Sequence, residues 1–421
     1  MNRRVAITGL GAVTPVGNDA ASTWQSLVAG RSGVGRIDTF DAETFPVRIA
    51  GLVKDFDLER YVPDASTRRK LSRAAGFGVA SALEALEDAG AVDGPYEPWE
   101  RGLAIGGSAG RLDLEEFVEM AHARETSGAR ELIRQSPGRV MERDQNVAVA
   151  TMARLATCEG PMITVSTACT ASAHSIGEAF RRIQEGDAKL MLTGGYDALT
   201  TWFDLIGFGL LGALTKDHDD EPERASRPFD KERSGFVLGE GAVTIVLEDF
   251  EEARSRGARI YAEVVGYGSS MNAYRMTDPP PDGGGVTLAV ANAVADSGLR
   301  PDEIDYVVAH GTSTPGNDAT ETLALKQVFG DHASRLAISS PKSMTGHLTC
   351  GAGALNVLVG TRAMTDGIVP PTINLEESDP KCDLDYVPNQ AREMTVGAVL
   401  VNAFAFGGTN ACLVLKAVES D

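Results

Sequence analysis

Three residues could carry nucleophilic and polar chemistry from matched positions in this chain: Cys169, His310 and His347. Each follows a short apolar run and sits in a turn of small or polar residues. In Gly160-Pro161-Met162-Ile163-Thr164-Val165-Ser166-Thr167-Ala168-Cys169-Thr170-Ala171-Ser172 a strand runs into small residues, and a helix is expected from about Ala171 onward. Cys169 then lies at a helix N-terminus, where unpaired N–H groups and the positive end of the dipole stabilise a thiolate and lower its pKa. A thiolate is the nucleophile that forms a thioester at neutral pH. Taken alone, one cysteine after a strand more often packs as a small buried hydrophobe. That reading is kept for Cys158, Cys350, Cys382 and Cys412.

Downstream residues move Cys169 out of that class. Tyr306-Val307-Val308-Ala309-His310-Gly311-Thr312-Ser313-Thr314-Pro315 puts His310 at the end of an apolar strand, entering a Gly/Pro/Thr loop. Ser339-Ser340-Pro341-Lys342-Ser343-Met344-Thr345-Gly346-His347 repeats the design and adds Lys342. Strand ends are where α/β sheets place ligands and catalytic groups. Two neutral imidazoles donating to one thioester oxygen would stabilise an enolate, the species formed when a malonyl thioester loses carbon dioxide. That route needs no strong base and no metal. Of the other histidines, His174 reads as packing, and His122, His218 and His332 read as surface residues.

The elements that position these residues alternate between short apolar strands and amphipathic helices. Strands are expected at Val5–Thr8, Gly102–Ile105, Met162–Val165, Leu190–Thr193 and Ala242–Leu247. A second set follows at Ala262–Val265, Tyr306–Ala309, Leu336–Ser339, Ala398–Val401 and Cys412–Leu415. Ala75–Ala89 shows apolar residues at three- and four-residue spacing, a helix pattern. The alternation predicts a mostly parallel sheet covered by helices. The sets divide around the charged, helical Glu248–Arg259, which suggests two duplicated halves, residues 1–251 and 252–421, each with its own sheet. Gly9-Leu10-Gly11-Ala12-Val13-Thr14 half resembles a dinucleotide loop, but Thr14 replaces the third glycine, and Pro15 and Gly17 interrupt the helix; it reads as a turn. Pro279–Gly285 reads as a surface loop.

Composition narrows the class. The 421 residues carry a formal charge of −20, which argues against nucleic acid or an anionic membrane as the main partner. Apolar runs are too short to span a bilayer, and no signal core follows Met1, so the protein is expected in the cytoplasm. Five cysteines without a C-x-x-C pair, and six histidines without H-E-x-x-H, offer neither a disulfide framework nor a zinc site.

The motifs Thr167-Ala168-Cys169-Thr170, His310-Gly311-Thr312-Ser313-Thr314-Pro315, Lys342-Ser343-Met344-Thr345-Gly346-His347 and Asn402-Ala403-Phe404-Ala405-Phe406-Gly407-Gly408-Thr409-Asn410 are specific. Together the chain resembles the β-ketoacyl-acyl carrier protein synthases, in the synthase II branch and the ketosynthase subunits of type II polyketide systems. The likeness runs from Arg4 to Leu415 and includes Arg227-Pro228-Phe229-Asp230 and Gly235–Ala242. It implies a thiolase-like α/β fold of two similar halves in five αβαβα layers, normally dimeric. It implies a decarboxylative Claisen condensation of an acyl group on Cys169 with malonyl-acyl carrier protein, in fatty acid or polyketide elongation, possibly of polyenes. His310 and His347 would promote decarboxylation, and Lys342 would support the site, paired with Glu321. The N–H groups of Cys169 and Phe406 would form the oxyanion hole, and Phe406 would gate the site. Thr312 and Thr314 would hold the phosphopantetheine arm, the carrier of the substrate; no bound cofactor is implied. The His347 position separates the chain from the Cys-His-Asn enzymes that use coenzyme A primers.

Several positions depart from the family pattern. Ala109 stands where a larger aliphatic residue usually lines the acyl pocket, which predicts a longer or wider pocket. The polar run Gly138–Asn146 replaces an apolar interface segment, which suggests a heterodimer with a ketosynthase-like chain-length factor; a wet homodimer contact is the other reading. Ala405 replaces a glycine of the gating loop and should restrict the Phe406 gate. Arg68, Arg69 and Lys70 match the basic carrier-docking segment, Arg134 is a weaker candidate, and Gly212, near Lys216, stands where another docking arginine is expected. Two other classes stay open. A cysteine hydrolase would leave the second histidine and Lys342 unexplained, and an idle scaffold subunit would not need Cys169, His310 and His347.

Overall fold

A computed structural model describes residues 3–92, 94–110, 114–127, 141 and 144–418. Its main strands are β1 (Val5–Val13), β2 (Arg101–Gly107), β3 (Met162–Val165), β4 (Leu190–Asp197) and β5 (Gly241–Asp249). They continue with β6 (Ala262–Met271), β7 (Tyr306–Val308), β8 (Ala337–Ser339), β9 (Ala398–Phe404) and β10 (Thr409–Lys416). The helices that cover them are α1 (Arg73–Asp88), α2 (Gln145–Leu155), α3 (Ala171–Glu185) and α4 (Trp202–Leu210). Further on come α5 (Gly284–Ser297), α6 (Pro315–Phe329) and α7 (Ala352–Asp366). Each of the ten apolar runs named from the sequence forms one of these strands.

The strands fall into two blocks of identical design. One has the order β3-β2-β4-β5-β1 and the other β8-β7-β9-β10-β6. Within each block the first two pairings are parallel and the last two antiparallel. The sheet is therefore mixed, not mostly parallel. In the second block the reason is plain, because β9 and β10 are joined by the short loop Ala405–Gly408, which forces antiparallel pairing. The halves also do not keep separate sheets. Residues Val5, Ala6 and Ile7 of β1 pair with Val264, Glu263 and Ala262 of β6, so the blocks join edge to edge.

Helices complete five layers. Helix α1, with α2 against it, covers one block; α3 and α7 lie between the blocks and touch both; α5 covers the other, with α6 against it. The middle layer is tight, and a Cβ on Gly353 of α7 would stand 2.8 Å from the Ala173 nitrogen of α3. Gly9 and Gly11 do not form a turn. They lie inside β1, where a Cβ would meet Ala85 O at 2.1 Å and Ser81 O at 2.0 Å, so their bareness lets α1 approach the strand. The charged connection is also shorter than expected: Glu248 and Asp249 end β5, and only Phe250–Ser255 is helical.

Candidate active site

Strand β3 ends at Val165, and a single 3₁₀ turn, Ala168–Thr170, leads directly into α3. Ala168 is held at φ +49°, a left-handed conformation that strains a residue with a side chain. Thr170 Oγ1 donates to Thr167 O at 2.7 Å and meets Thr409 Oγ1 at 3.0 Å, fixing the turn against β10. Cys169 thus occupies the expected helix start. Its thiol does not have the expected low pKa. Cys169 lines a cavity yet is surrounded by protein, and burial pushes the thiol up to about 12. The Lys342 ammonium and the backbone N–H groups of Cys169 and Phe406 pull the other way, and Asp197 adds to the rise. The N–H groups of Cys169 and Phe406 thus both act on the sulfur.

His310 and His347 line the same cavity, their ring centroids 5.3 Å apart and their planes at 80°. Burial, reinforced by the Lys342 ammonium, holds both well below the usual imidazole value, so both are neutral at pH 7. Nδ1 of His347 accepts the Thr349 N–H at 3.2 Å. Thr349 Oγ1 in turn donates to Asp197 at 2.6 Å, and Ser108 Oγ donates to the same carboxylate. His310 Nδ1 is buried and has no hydrogen-bond partner among the described residues.

Glu321 does not pair with Lys342 by hydrogen bond. Its oxygens accept the backbone N–H groups of His310 and Gly311, both at 2.8 Å, and Asn402 Nδ2 at 2.9 Å. The carboxylate is committed to the His310 turn. Nζ of Lys342 is buried without a hydrogen-bond partner among the described residues, and its link to Glu321 is through space. Burial lowers the Lys342 amine to about 8, against the opposing pull of Glu321, Cys169 and Asp318.

Thr312 and Thr314 both line the cavity, their hydroxyls 2.9 Å apart. Phe406 is half-buried, its ring 6.3 Å from Phe236 and 6.4 Å from Phe208. Ala405 keeps a negative φ, while Gly407 and Gly408 take φ +86° and +80°. The gating loop thus bends at its glycines, and Ala405 sits unstrained in this conformation. The cavity encloses about 310 Å³.

Other expected residues are not brought together there. Ala109 lies beyond the end of β2, exposed, and does not line this cavity. Arg68 is half-buried and spent locally, donating to Val62 O and Pro63 O and pairing with Glu59, whereas Arg69 and Lys70 are exposed. Arg134 and most of Gly138–Arg143 lie outside the described residues, and Asp144 caps α2. His218 and His332 are half-buried, near Arg227 and Ile304 O, rather than on the surface. Pro279 lines the cavity, so its loop is more than a surface connection. Sequence reading missed Phe236, Phe404, Arg275 and Met276 as cavity residues. Their spacing carries no signal, because they reach the cavity from three separate places in the chain, Phe236 from one loop, Arg275 and Met276 from another, and Phe404 from the end of β9.

The chain matches the model for the beta-ketoacyl synthase N-terminal domain over residues 2–253 and that for the C-terminal domain over residues 261–376. It is 46% identical over 417 residues to the 3-oxoacyl-[acyl-carrier-protein] synthase 2 of Coxiella burnetii, covering 99% of each chain. Among solved structures it is similar to the ishigamide ketosynthase/chain length factor, with a TM-score of 0.90, 35% identity and 100% of both chains covered. It is also similar to a type II PKS acyl-carrier protein in complex with its ketosynthase bound to the hexaketide. There the TM-score is 0.88 at 32% identity, with 100% of both chains covered.

Proposed function

The chain belongs to the β-ketoacyl synthase family and is an acyltransferase of the ketosynthase type, and from that premise we propose how its residues divide the reaction. An acyl group arrives as a thioester on the phosphopantetheine of an acyl carrier protein, the arm passing Thr312 and Thr314. Cys169 sulfur attacks the carbonyl, whose oxygen takes over the N–H groups of Cys169 and Phe406. The carrier thiolate leaves with the proton of the Cys169 thiol. Malonyl-carrier protein then enters, and His310 and His347 donate to its thioester oxygen as carbon dioxide departs. The enolate carbon attacks the Cys169 thioester, the carbon–sulfur bond breaks, the Cys169 thiolate leaves and takes a proton from solvent, and the β-ketoacyl chain departs on the carrier.

The observation that carries this reading is the pair of neutral imidazoles sharing one cavity with Cys169. Such a pair stabilises an oxyanion without a net charge of its own. Lys342 supports the thiol electrostatically, Glu321 positions His310, and the halves divide near residues 251 and 252. Among the described residues no helix is long and apolar enough to cross a membrane, and we place the reaction in the cytoplasm. The product enters fatty acid or type II polyketide elongation, polyenes included.

The chain works as a dimer, either with itself or with a ketosynthase-like chain-length factor. The similarity to a ketosynthase/chain length factor favours keeping the second form. Mass spectrometry after incubation with acyl-carrier proteins, then malonyl-carrier protein, tests the scheme. An acyl adduct on Cys169 that disappears as a β-ketoacyl product forms supports it. No adduct from any primer, with and without candidate partner subunits, sinks it in favour of a scaffold subunit.

A further inference from the structure

Asp197 closes β4 and is wholly buried, yet it does not line the cavity. Its two oxygens take four donors in a matched pattern. Oδ2 accepts the Thr349 hydroxyl at 2.6 Å and the Cys350 N–H at 3.3 Å; Oδ1 accepts the Ser108 hydroxyl and the Ala198 N–H, the latter at 3.0 Å. Each oxygen thus holds one hydroxyl and one backbone N–H, a set that suits the ionised, acceptor-only carboxylate. Burying a charge is costly even when it is satisfied in this way, and the reaction steps proposed above give this one no part.

Thr349 shows what the carboxylate does. It is β-branched and nevertheless stands at φ +46°, a conformation that persists only where the surroundings impose it. The φ torsion sets the angle between a residue's N–H and its side chain. In Thr349 the hydroxyl is held by Asp197 while the N–H is given to Nδ1 of His347 at 3.2 Å, so the strained torsion links one anchor to the other. The Cys350 N–H, on the same oxygen, fixes the following residue as well. Strand β4 comes this close because a position in it is bare: a Cβ on Gly195 would stand 2.5 Å from Cys350 O. Asp197 stands in the same block of strands as β3, which leads to Cys169, whereas Thr349 and His347 come from the later part of the chain.

We propose that Asp197 is a positioning residue: it holds Thr349 in this strained conformation and thereby keeps His347 as the Nε2–H tautomer that donates during decarboxylation. The inference deepens the condensing reaction proposed above and rests on it for its purpose. The amide of Asp197→Asn cannot replace the carboxylate, because either way round its N–H₂ meets a backbone N–H, that of Cys350 or that of Ala198. On the other step the charge of Asp197 has the opposite effect, since it adds to the rise of the Cys169 thiol. Decarboxylation and thiol reactivity should therefore move apart when that charge is removed.

The test uses the full chain with its histidine nitrogens isotopically labelled for NMR. The His347 signals, assigned by their loss in His347→Gln, should show the proton on Nε2 in the wild type and shared between both nitrogens in Asp197→Asn. Carbon dioxide release from malonyl-carrier protein should fall at least about tenfold in Asp197→Asn and in Thr349→Val, which removes the hydroxyl and keeps the branching. Thr349→Ser, which keeps the hydroxyl, should recover most of that loss. Iodoacetamide alkylation of Cys169 should rise about threefold in Asp197→Asn, because a negative charge acting on the thiol is gone. A folding defect would lower both rates together. An unchanged Nε2–H signal in Asp197→Asn, wild-type carbon dioxide release in Asp197→Asn or Thr349→Val, an equal loss in Thr349→Ser, or alkylation that falls with decarboxylation overturns the proposal. If the wild type neither releases carbon dioxide nor forms an acyl adduct, the condensing reading fails, while the His347 signal still decides on Asp197.

Discussion

Thr349 donates its backbone N–H to Nδ1 of His347 across 3.2 Å, and this fixes the proton of the neutral ring on Nε2. A neutral donor is what a developing enolate oxygen requires, and His310, also neutral, stands beside it with its centroid 5.3 Å away. Replacing either histidine by Ala should slow carbon dioxide release from malonyl-carrier protein by about 10²–10³-fold. Because both rings titrate well below 6.5, decarboxylation should stay flat as pH falls through that value. Stability behaves differently. The unfolded chain takes up these protons first, near pH 6.5, so the histidine contribution is complete above that pH and is lost as pH falls below it. Urea midpoints measured against pH should fall less steeply on the acid side in His347→Gln than in the wild type. Identical slopes would mean His347 is not buried and neutral.

Lys342 carries a charge that meets no hydrogen-bond partner among the described residues. Burial lowers its amine from 10.5 to about 8, against the pull of Glu321. At pH 7 the ammonium form costs the folded state about 3 kcal/mol relative to the unfolded chain, fully below pH 8 and fading toward pH 10.5. In exchange it pulls the Cys169 thiol down. Lys342→Met should therefore raise Tm at pH 7 while slowing alkylation of Cys169 by iodoacetamide about tenfold. A variant that is less stable, or one alkylated at the wild-type rate, would contradict this assignment.

Glu321 is bound by three N–H donors and has no proton of its own to give them in its ionised form. Glu321→Gln sets an amide N–H₂ against one of these donors. The loss should be about 1–3 kcal/mol of stability, and the His310 turn should loosen. Decarboxylation should drop with it, and iodoacetamide alkylation of Cys169 should slow as well, because the loss of the Glu321 charge lowers the Lys342 amine further and weakens its pull on the thiol. Alkylation at the wild-type rate would show that Glu321 acts on the His310 turn alone.

Most strands were legible because they are apolar runs, and burial on both faces, as in β1, β2, β4, β5 and β9, demands such runs. The duplicated strand order and the join between β1 and β6 were not, since pairing partners leave no mark on either sequence. Gly9 and Gly11 looked like a turn because a glycine that admits a helix and a glycine that bends a chain are the same letter. At the site, Cys169, His310 and His347 were readable from local motifs. The pKa of Cys169 was not, because the helix start is local and the burial that outweighs it comes from distant elements. Lys342 and Glu321 were both found, and the charges do act on each other through space; what the sequence did not show is that the backbone N–H groups of residues 310 and 311 donate to the carboxylate.

Ala405 tests whether one methyl group limits the gate. Its φ is negative, its N–H donates to Thr409 O at 2.9 Å, and its carbonyl accepts Gly408 N–H at 3.0 Å. Nothing in this conformation demands glycine, so Ala405→Gly gains no strain relief and widens the freedom of the unfolded chain. It should cost about 0.4–1 kcal/mol. The same freedom acts on the loop that carries Phe406, whose ring must move for a bulky chain to reach Cys169. Rapid-quench acylation with a long acyl-carrier protein should then be faster in Ala405→Gly, and acylation with a short chain should change little. If both chains react at wild-type rates although Tm falls, the methyl group stabilises the loop without limiting the gate. Gating would then turn on the two backbone hydrogen bonds that hold the loop to residues 272–276, Gly407 N–H to Met276 O and Asn272 N–H to Gly408 O.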